Sequence, residues 1–263
     1  MTSNPSVLIT GASTGIGAMY ADRFAKRGHD LVLVARDNNR MEALADRLRR
    51  EAGVRVDILR ADLTNAQDLA QVEARLRDDH RIGILINNAG AAPALGFVDQ
   101  NPDEMARIVS LNATVPLRLA SAVAPRFAQA GQGAIVNISS VVGLVPEYGS
   151  TVYGATKAFV LFLSQGLHAE LGPKGVYVQA VLPSATRTEI WAHAGKDVNK
   201  QPAVMEVDEL VDAALAGFDR RETITIPTLL DANQWTNFES ARMVMTPEIF
   251  NQGHAATRYR QAA

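Results

Sequence analysis

Tyr153 and Lys157 are the side chains whose types and spacing best suit acid–base chemistry in this sequence. Residues four apart lie on the same face of a helix, so the phenol and the ammonium can meet. A nearby cation lowers the pKa of a phenol, and a phenol tuned towards neutral pH can donate or accept a proton. A tyrosine and a lysine on a helix surface can have the same spacing without any function. Taken alone, the pair favours this second interpretation. Tyr153 is nevertheless the only tyrosine with a lysine four positions later.

Two serines lie just before this pair, where an apolar run ends. Residues 134–138 are typical of a buried parallel strand, and Ser139 and Ser140 follow it directly. An irregular stretch rich in glycine and proline comes next, before the helical pattern that carries Tyr153. A serine hydroxyl at the strand end is therefore a candidate to lie near the phenol.

A glycine-rich turn, TGASTGIG at residues 10–17, follows the first apolar run and opens the first helical pattern. Glycines let a pyrophosphate approach a helix N-terminus, where free N–H groups and the helix dipole favour negative charge. The spacing is GxxxGxG, which differs from the GxGxxG fingerprint, and such turns also occur without a ligand. Its position in the first βα turn favours a nucleotide. Ala18 stands where a phosphate loop would have lysine, which disfavours an ATP site.

Two further stretches lie at predicted strand ends. Residues 87–90, Asn-Asn-Ala-Gly, leave room for a sugar or a base. The alternative is a turn whose residues serve the backbone conformation alone. Asp62 could accept a hydrogen bond from an adenine amino group, or could serve as a capping or turn residue. Thr64 is the predicted N-cap of the helix that follows.

Apolar runs and helical patterns alternate along most of the chain, and this alternation predicts the fold. It predicts a doubly wound, Rossmann-type α/β fold with a parallel sheet of about seven strands and helices on both faces. We expect one domain over residues 1–263, with an atypical extension at about 227–263 that breaks the rhythm. Predicted strands cover residues 6–10, 31–35, 54–59, 82–87, 134–138, 176–182 and 223–226, and the long helix at 103–130 contains Pro116 and Pro125 as potential kinks.

Composition favours a cytoplasmic protein that acts on a small molecule. The net charge of −2 gives no electrostatic reason to expect nucleic acid or an anionic membrane as a partner. The sequence indicates no signal peptide and no apolar run of membrane-spanning length. Cysteine is absent and the five histidines lack ligand spacing, so we expect no disulfide and no metal site.

Five features together resemble the short-chain dehydrogenase/reductase family in order and spacing. These are the glycine turn, residues 87–90, Asn112, Ser140 and the Tyr153-x-x-x-Lys157 pair. The resemblance runs from about Ser6 to Thr188 and through the seventh strand. It implies an oxidoreductase that interconverts a ketone or aldehyde and an alcohol by hydride transfer.

The resemblance also implies roles for individual side chains. Tyr153 would be the general acid/base, and Lys157 would lower its pKa and bind the nicotinamide ribose. Ser140 would hold the reacting oxygen, because it stands thirteen residues before Tyr153 as in relatives; Ser139 is the alternative. Asn112 would hold a water that links Lys157 to solvent, whereas from the residues alone it is equally a helix-kink position.

A cofactor set follows from the same resemblance. Its members lie in the glycine turn, at the ends of the second, third, fourth and sixth strands, and in the Tyr–Lys pair. They are Gly11, Ser13, Thr14, Gly15, Ile16, Gly17, Arg36, Asp62, Leu63, Asn88, Ala89, Gly90, Tyr153, Lys157, Pro183 and Thr188.

The end of the second strand predicts NADP rather than NAD. Ala35 occupies the position where NAD-preferring relatives place a carboxylate for the ribose 2′-hydroxyl. Arg36 follows, and a guanidinium suits a phosphate. Asp37 could neutralise Arg36 or begin the next helix, so an NAD-preferring enzyme of the same mechanism is the alternative.

The substrate region is predicted in the segments 91–97, 141–148 and 184–191, which are mostly apolar. They favour a modestly sized, apolar ketone, aldehyde or secondary alcohol, and Arg187 is the one candidate cation. Residues 186–201 would form a mobile substrate loop with Ile190 and Trp191 as lid residues, although the residue type favours a packing role for Trp191. Ser184 replaces the glycine that relatives have after Pro183, which puts the local backbone path in question.

The family resemblance further implies a homodimer through the helices at 103–130 and 152–171, or a homotetramer. The polar tail differs from the short strand with which tetrameric relatives end. A non-catalytic nucleotide-binding protein that senses redox state or serves as a scaffold is the alternative from another functional class. Relatives of that kind lack a reactive residue, and this sequence lacks none.

Overall fold

The structure, a computed structural model, describes residues 4–94 and 96–260. Within these residues seven strands form a single sheet: β1 (Ser6–Thr10), β2 (Leu31–Ala35), β3 (Val56–Arg60), β4 (Ile82–Asn87), β5 (Ala134–Ile138), β6 (Tyr177–Val181) and β7 (Ile224–Thr225). Their order is β3-β2-β1-β4-β5-β6-β7, and every neighbouring pair is parallel. The predicted doubly wound fold is confirmed.

The first eight helices lie between successive strands, with helices on both faces of the sheet, and the last two helices follow β7. The helices of the described residues are α1 (Gly15–Lys26), α2 (Asn38–Ala52), α3 (Ala66–Asp78), α4 (Pro102–Val109), α5 (Val115–Ala130), α6 (Thr151–Leu171), α7 (Ile190–His193), α8 (Val207–Asp219), α9 (Ala232–Val244) and α10 (Thr246–Asn251). Residues along a strand alternate between two cores, because successive strand residues point to opposite faces. Val7 and Ile9 of β1 pack with α1, α2 and α8, whereas Leu8 packs on the α3 and α5 side.

A π-helical segment, Ser110–Thr114, joins α4 to α5. The sequence predicted an interruption of the 103–130 helix at Pro116 or Pro125. Instead, Pro116 lies in the first turn of α5, and the irregular turn precedes it. Asn112 lies in the middle of this segment, and π-segments inside helices are frequent at functional sites.

The stretch Pro102–Ala130, which is 29 residues long, satisfies the length and hydropathy criteria for a membrane span. This departs from our expectation of no such run. Its buried side chains include Leu119, Val123 and Phe127, which belong to the core on one face of the sheet. Burial of this kind is typical of a core helix that meets the same criteria.

The N-terminal cap of α3 differs from the prediction by one residue. Asn65, not Thr64, is the cap, and its side chain accepts hydrogen bonds from the backbone of Gln67 (2.9 Å) and Asp68 (3.1 Å). Thr64 is occupied elsewhere, because its hydroxyl donates to Asp62 at 2.7 Å. Two adjacent capping-type residues cannot be ranked by propensity alone.

Contacts along the chain divide it into two units, Met1–Pro227 and Thr228–Ala263. The second unit begins where the predicted extension begins. Its helices α9 and α10 contact each other, and none of their residues, all of which the structure describes, is buried. Phe238, Met243, Ile249 and Phe250 are exposed large apolar side chains in this unit.

Replacing Asn65 with alanine removes two hydrogen bonds to otherwise unpaired N–H groups. We expect Asn65→Ala to lower the free energy of unfolding by about 1 kcal/mol, within the range of about 0.5–2 for lost caps. Denaturant unfolding measures this change. The exposed neighbour Gln67→Ala is the control and should shift stability by less than about 0.5 kcal/mol. Equal effects of the two substitutions would contradict the capping assignment.

Candidate active site

The carboxyl ends of β1, β4, β5 and β6 meet at one edge of the sheet. The registers pair Ile9 with Ile86, Asn87 with Asn137, and Ile138 with Val181. Residues that follow these strands are therefore brought side by side. In open α/β sheets this is the edge where ligands bind.

Ser139 and Ser140 leave β5 in different directions. The Ser139 hydroxyl donates to the Lys157 carbonyl at 2.6 Å and is buried, so it anchors α6 to the strand end. The Ser140 hydroxyl donates to the Pro183 carbonyl at 3.2 Å, and its side chain shares a hydrogen bond with Tyr153. The structure thus brings Ser140, and not Ser139, to the phenol.

Tyr153 and Lys157 face the same side of α6, as their spacing predicts. The Lys157 Nζ lies 5.4 Å from the centroid of the Tyr153 ring and donates to the Ile138 carbonyl at 2.8 Å. Lys157 is 5% exposed, whereas Tyr153 is half-buried. A Cβ on Gly90 would lie 3.6 Å from this ammonium, so residues 87–90 border the same group.

Burial dominates the pKa of Tyr153 in this arrangement, and the lowering of that pKa by Lys157 stays a prediction. Burial raises the pKa of the Tyr153 phenol to about 12, and the hydrogen bond with Ser140 offsets only part of that rise. Burial also lowers the pKa of Lys157 to about 8. The ammonium lies over the ring and is bonded to Ile138, so desolvation outweighs charge attraction at the hydroxyl.

Asn112 holds the segment that follows Gly90. Its side-chain oxygen accepts from the Ala91 N–H at 2.9 Å, and its amide donates to the Ala91 carbonyl at 2.8 Å and to Thr156 at 3.1 Å. The π-segment turns this buried amide towards the edge of the sheet. The observed contacts tie residues 90–91 to α6, and the role of holding a water stays a prediction.

The glycine turn is a tightly packed cradle. A Cβ on Gly17 would come within 2.3 Å of the Gly11 carbonyl oxygen, and one on Gly11, whose φ is +66°, would lie 2.8 Å from the Asn88 amide. Only glycine fits these two positions. The Asn88 amide donates to the carbonyls of Thr10 (2.9 Å) and Gly11 (3.2 Å), which locks residues 87–90 to the turn.

Thr10 is a positioning residue that our sequence reasoning missed. Its buried hydroxyl accepts from the backbone N–H groups of Asn88 (2.9 Å) and Ala89 (3.1 Å). It thus joins the ends of β1 and β4 beneath the turn. A hydroxyl residue at the last strand position directly before a glycine turn was the available signal.

The first turn of α1 suits an anion. Thr14 is its N-cap residue and makes no side-chain capping bond. The first N–H groups of the helix can therefore donate to a ligand. Ser13, Gly15 and Ile16 are all partly exposed beside it. These residues fit a dinucleotide pyrophosphate, whose negative charge the helix dipole favours.

Arg36 and Asp62 lie at the ends of the neighbouring strands β2 and β3. Burial opposes ionisation of Asp62, but hydrogen bonds from Thr64 together with the charges of Arg36 and Arg107 lower its pKa. One Asp62 carboxylate oxygen accepts from both the backbone and the hydroxyl of Thr64. The turn role is therefore observed, and contact with adenine stays a prediction, as it does for the buried Leu63.

The segment after β6 follows an ordinary backbone path despite Ser184. Among the described residues Arg221 is the only non-glycine residue with a positive φ, so Ser184 needs no glycine conformation. The Trp191 indole donates to the Thr186 carbonyl at 2.8 Å, which ties Trp191 into its own segment. Arg187 bonds to Glu206 and Asn199, both at 2.8 Å.

A cavity lies beside the N-terminus of α6. Its walls include Pro93, Phe97, Met105, Val152 and Lys196. Three of these side chains, Phe97, Met105 and Val152, are large and apolar, and Lys196 adds a cation that our sequence analysis did not single out. Leu95 of the predicted pocket segment lies outside the described residues.

Comparison with known proteins gives consistent matches. A family described as short chain dehydrogenase matches residues 5–199. A short-chain dehydrogenase from Sphingobium yanoikuyae, solved in complex with NADPH, is 66% identical with a TM-score of 0.96, over 97% of this chain and 100% of that one. The bulky-bulky ketone specific alcohol dehydrogenase from Comamonas testosteroni is 60% identical with a TM-score of 0.92, over 98% of this chain and 99% of that one.

A curated relative is more distant. The very-long-chain 3-oxoacyl-CoA reductase of Bos taurus is 35% identical over 188 residues, which are 70% of this chain. The matched region spans 60% of the length of that reductase. The activity of the longer protein is therefore no more than a guide to the activity of this chain.

Lys157 gives stability a specific pH dependence. Because its pKa falls from 10.5 to about 8 on folding, the native chain releases this proton at a lower pH than the unfolded chain does. Between these values the unfolded state binds more protons, so the stability of the wild type rises with pH. We expect the stability of Lys157→Met relative to wild type to fall by about 2–3 kcal/mol from pH 7 to pH 10.

Denaturant unfolding at the two pH values measures this change. The exposed Lys174→Met is the matched control, and its stability relative to wild type should stay constant across the same range. A constant relative stability for Lys157→Met would contradict the burial cost assigned to the ammonium.

Proposed function

Since the chain belongs to the short-chain dehydrogenase family, we propose that it is an NADP-dependent oxidoreductase that interconverts a ketone and a secondary alcohol. The observation that carries the proposal is the meeting of Ser140, Tyr153 and Lys157 beside the glycine cradle. Chemistry and nucleotide binding share one edge of the sheet, where a bound dinucleotide and a carbonyl group can be brought together. A nucleotide-binding role alone would not require that side-chain set.

Tyr153 donates the proton in this proposal. A phenol with a pKa of about 12 is protonated at neutral pH, so Tyr153 carries the proton that reduction of a carbonyl group requires. Ser140 holds the same oxygen, since its side chain interacts with the phenol and lowers the pKa of Tyr153. The cofactor supplies the hydride.

Lys157 orients the cofactor and helps to replace the proton that Tyr153 donates. One of its N–H donors is used on Ile138, which leaves two for the nicotinamide ribose and the proton path. Asn112 fixes the neighbouring backbone through Ala91. A rigid ammonium close to the phenol also stabilises negative charge that develops on the oxygen as the proton leaves.

The preference for NADP rests on the end of β2. Ala35 carries no carboxylate, and Arg36, which follows it, is exposed. The Sphingobium yanoikuyae dehydrogenase, at 66% identity, was solved with NADPH. Both observations support NADP over NAD.

We propose a bulky, apolar ketone as the substrate class. The segments after Gly90 and Ser140 present half-exposed or exposed apolar side chains, among them Phe97, Val142, Leu144 and Tyr148. The Comamonas testosteroni relative is described as specific for bulky-bulky ketones. A substrate with apolar groups on both sides of the carbonyl buries these side chains on binding.

Replacing Tyr153 with phenylalanine tests the mechanism. We expect Tyr153→Phe to lose at least about 100-fold in kcat for reduction of an apolar diaryl or aryl-alkyl ketone, because the proton donor is gone. Binding of NADPH in a fluorescence titration should stay within about threefold. The exposed Tyr259→Phe is the control and should keep wild-type kcat. Turnover that survives in Tyr153→Phe would refute the assigned proton donor, and NADPH binding without turnover by the wild type would favour the sensor alternative.

We also propose a homodimer formed through α4, α5 and α6. Phe159 and Phe162 are three residues apart on one face of α6, and they are 40% and 73% exposed. Val109 and Leu117 are exposed on the neighbouring α4 and α5. Apolar exposure on adjacent helices favours association with a second copy.

A charge on this surface tests the dimer. We expect Phe162→Asp to shift the mass in light scattering from dimer to monomer, because a buried unpaired carboxylate opposes association. The exposed tail variant Phe250→Asp is the control and should keep the wild-type mass. A wild-type monomer at micromolar concentration would contradict the dimer without affecting the proposed chemistry.

A further inference from the structure

An ion pair links the predicted adenosine end of the site to the predicted substrate segment. The Arg40 guanidinium donates to the Glu189 carboxylate at 2.7 Å, across 149 positions of sequence. Arg40 lies in the first turn of α2, directly after β2, and Glu189 immediately precedes α7. Both side chains are about half-exposed.

The residue beside Glu189 lies against the glycine turn. The Thr188 Cγ2 lies 3.2 Å from the position that a Cβ on Gly15 would occupy. Two adjacent residues thus contact two parts of the predicted dinucleotide site. Thr188 contacts the turn that would hold the pyrophosphate, and Glu189 contacts the arginine beside the predicted site of the adenosine ribose.

Carboxylates lie among the arginines near this strand end. Arg40 pairs with Asp37 and Glu189, and the charge of Arg36 reaches Asp62. Arg60, which pairs with Ala35 in the sheet, adds a further cation at this end. A 2′-phosphate, with up to two negative charges, would be attracted by the arginines and repelled by each carboxylate that remains in place. Arg107, whose charge also reaches Asp62, is itself paired with Glu104 at 3.4 Å.

Glu189 is the carboxylate that can separate from its arginine without disrupting a turn. Asp37 caps α2 by accepting from the Arg40 N–H at 3.1 Å, and Asp62 accepts from Thr64, so both are parts of their turns. Among the described residues the Glu189 carboxylate bonds to Arg40 alone. An exposed pair of this kind contributes little stability, so a competing anion can displace it.

We infer that Glu189 competes with the 2′-phosphate of NADP for the Arg40 guanidinium. Arg40 is then a second phosphate-binding cation beside Arg36. When Arg40 binds the phosphate, its bond to Glu189 breaks and the 188–191 segment is released. This inference rests on the proposed function, since it concerns the cofactor of that site. Arg40 then determines cofactor specificity, and Glu189 is a positioning residue that links cofactor choice to the substrate side.

Binding measured without turnover tests the competition. We expect Glu189→Gln to tighten NADPH about two- to fivefold, because removal of an exposed ion pair frees Arg40 for the phosphate. NADH, which lacks the phosphate, should bind within a factor of about 1.5 of wild type. Arg40→Ala should weaken NADPH about tenfold and leave NADH unchanged.

Two controls separate competition from a general charge effect. Glu206→Gln removes one negative charge from another exposed pair, Arg187–Glu206 at 2.8 Å, and should change neither dinucleotide. In the Arg40→Ala background, Glu189→Gln should no longer tighten NADPH, since the cation that both anions share is gone.

The release of the segment has its own reporter. The chain has two tryptophans, so Trp235→Phe leaves Trp191 as the single indole. We expect adenosine 2′,5′-bisphosphate to increase acrylamide quenching of Trp191, whereas adenosine 5′-monophosphate should not. In Glu189→Gln the quenching should be raised already and should not change with either nucleotide.

Three results would overturn the inference. They are equal tightening of NADH and NADPH in Glu189→Gln, tightening by Glu206→Gln of the same size, and an unchanged NADPH-to-NADH affinity ratio in Arg40→Ala. Each leaves the proposed function intact if the wild type still oxidises NADPH with a ketone. Failure to bind either dinucleotide would instead refute the proposed function itself.

Discussion

Burial of the Lys157 ammonium is the constraint on which the rest of the site depends. A charged group at 5% exposure is costly unless its hydrogen bonds are satisfied, and the Ile138 carbonyl at the end of β5 accepts one of them at 2.8 Å. That bond and the one from Ser139 to the Lys157 carbonyl fasten α6 to the strand end. Tyr153, one turn earlier on α6, is thereby positioned beside Ser140. The same low-dielectric surroundings that lower the pKa of Lys157 to about 8 raise that of Tyr153 to about 12.

Hydrogen bonds between loops hold the other half of the site. Thr10 and Asn88 tie the glycine turn to the end of β4, and Asn112 ties the next residues to α6. The π-segment is what allows the last contact, because it breaks the regular spacing of a long core helix at the residue whose amide is needed. The site is thus a set of strand ends and turns joined by buried polar groups, and the helices supply the rigid support.

Much of this could be predicted from local patterns. Strands β1, β2, β4 and β5 have the predicted bounds, because each is a continuous apolar run closed by polar or small residues. The resemblance to a family brought Asn112, Ser140, Tyr153 and Lys157 into consideration together. The prediction failed where two neighbouring residues had similar propensities, as at Thr64 and Asn65, and where proline was expected to mark the irregular turn.

The sequence by itself determined the alternation of strands and helices, the glycine turn and the four-residue spacing of Tyr153 and Lys157, because these depend on chain geometry that repeats locally. Only the tertiary structure shows what the two serines contact, since Ser139 and Ser140 are adjacent in sequence and their hydroxyls bond to different segments. It also decided the direction of the Tyr153 pKa, which depends on burial by distant segments. The Arg40–Glu189 pair could not be predicted from the sequence either, because only the folded chain brings together two exposed residues so far apart in sequence.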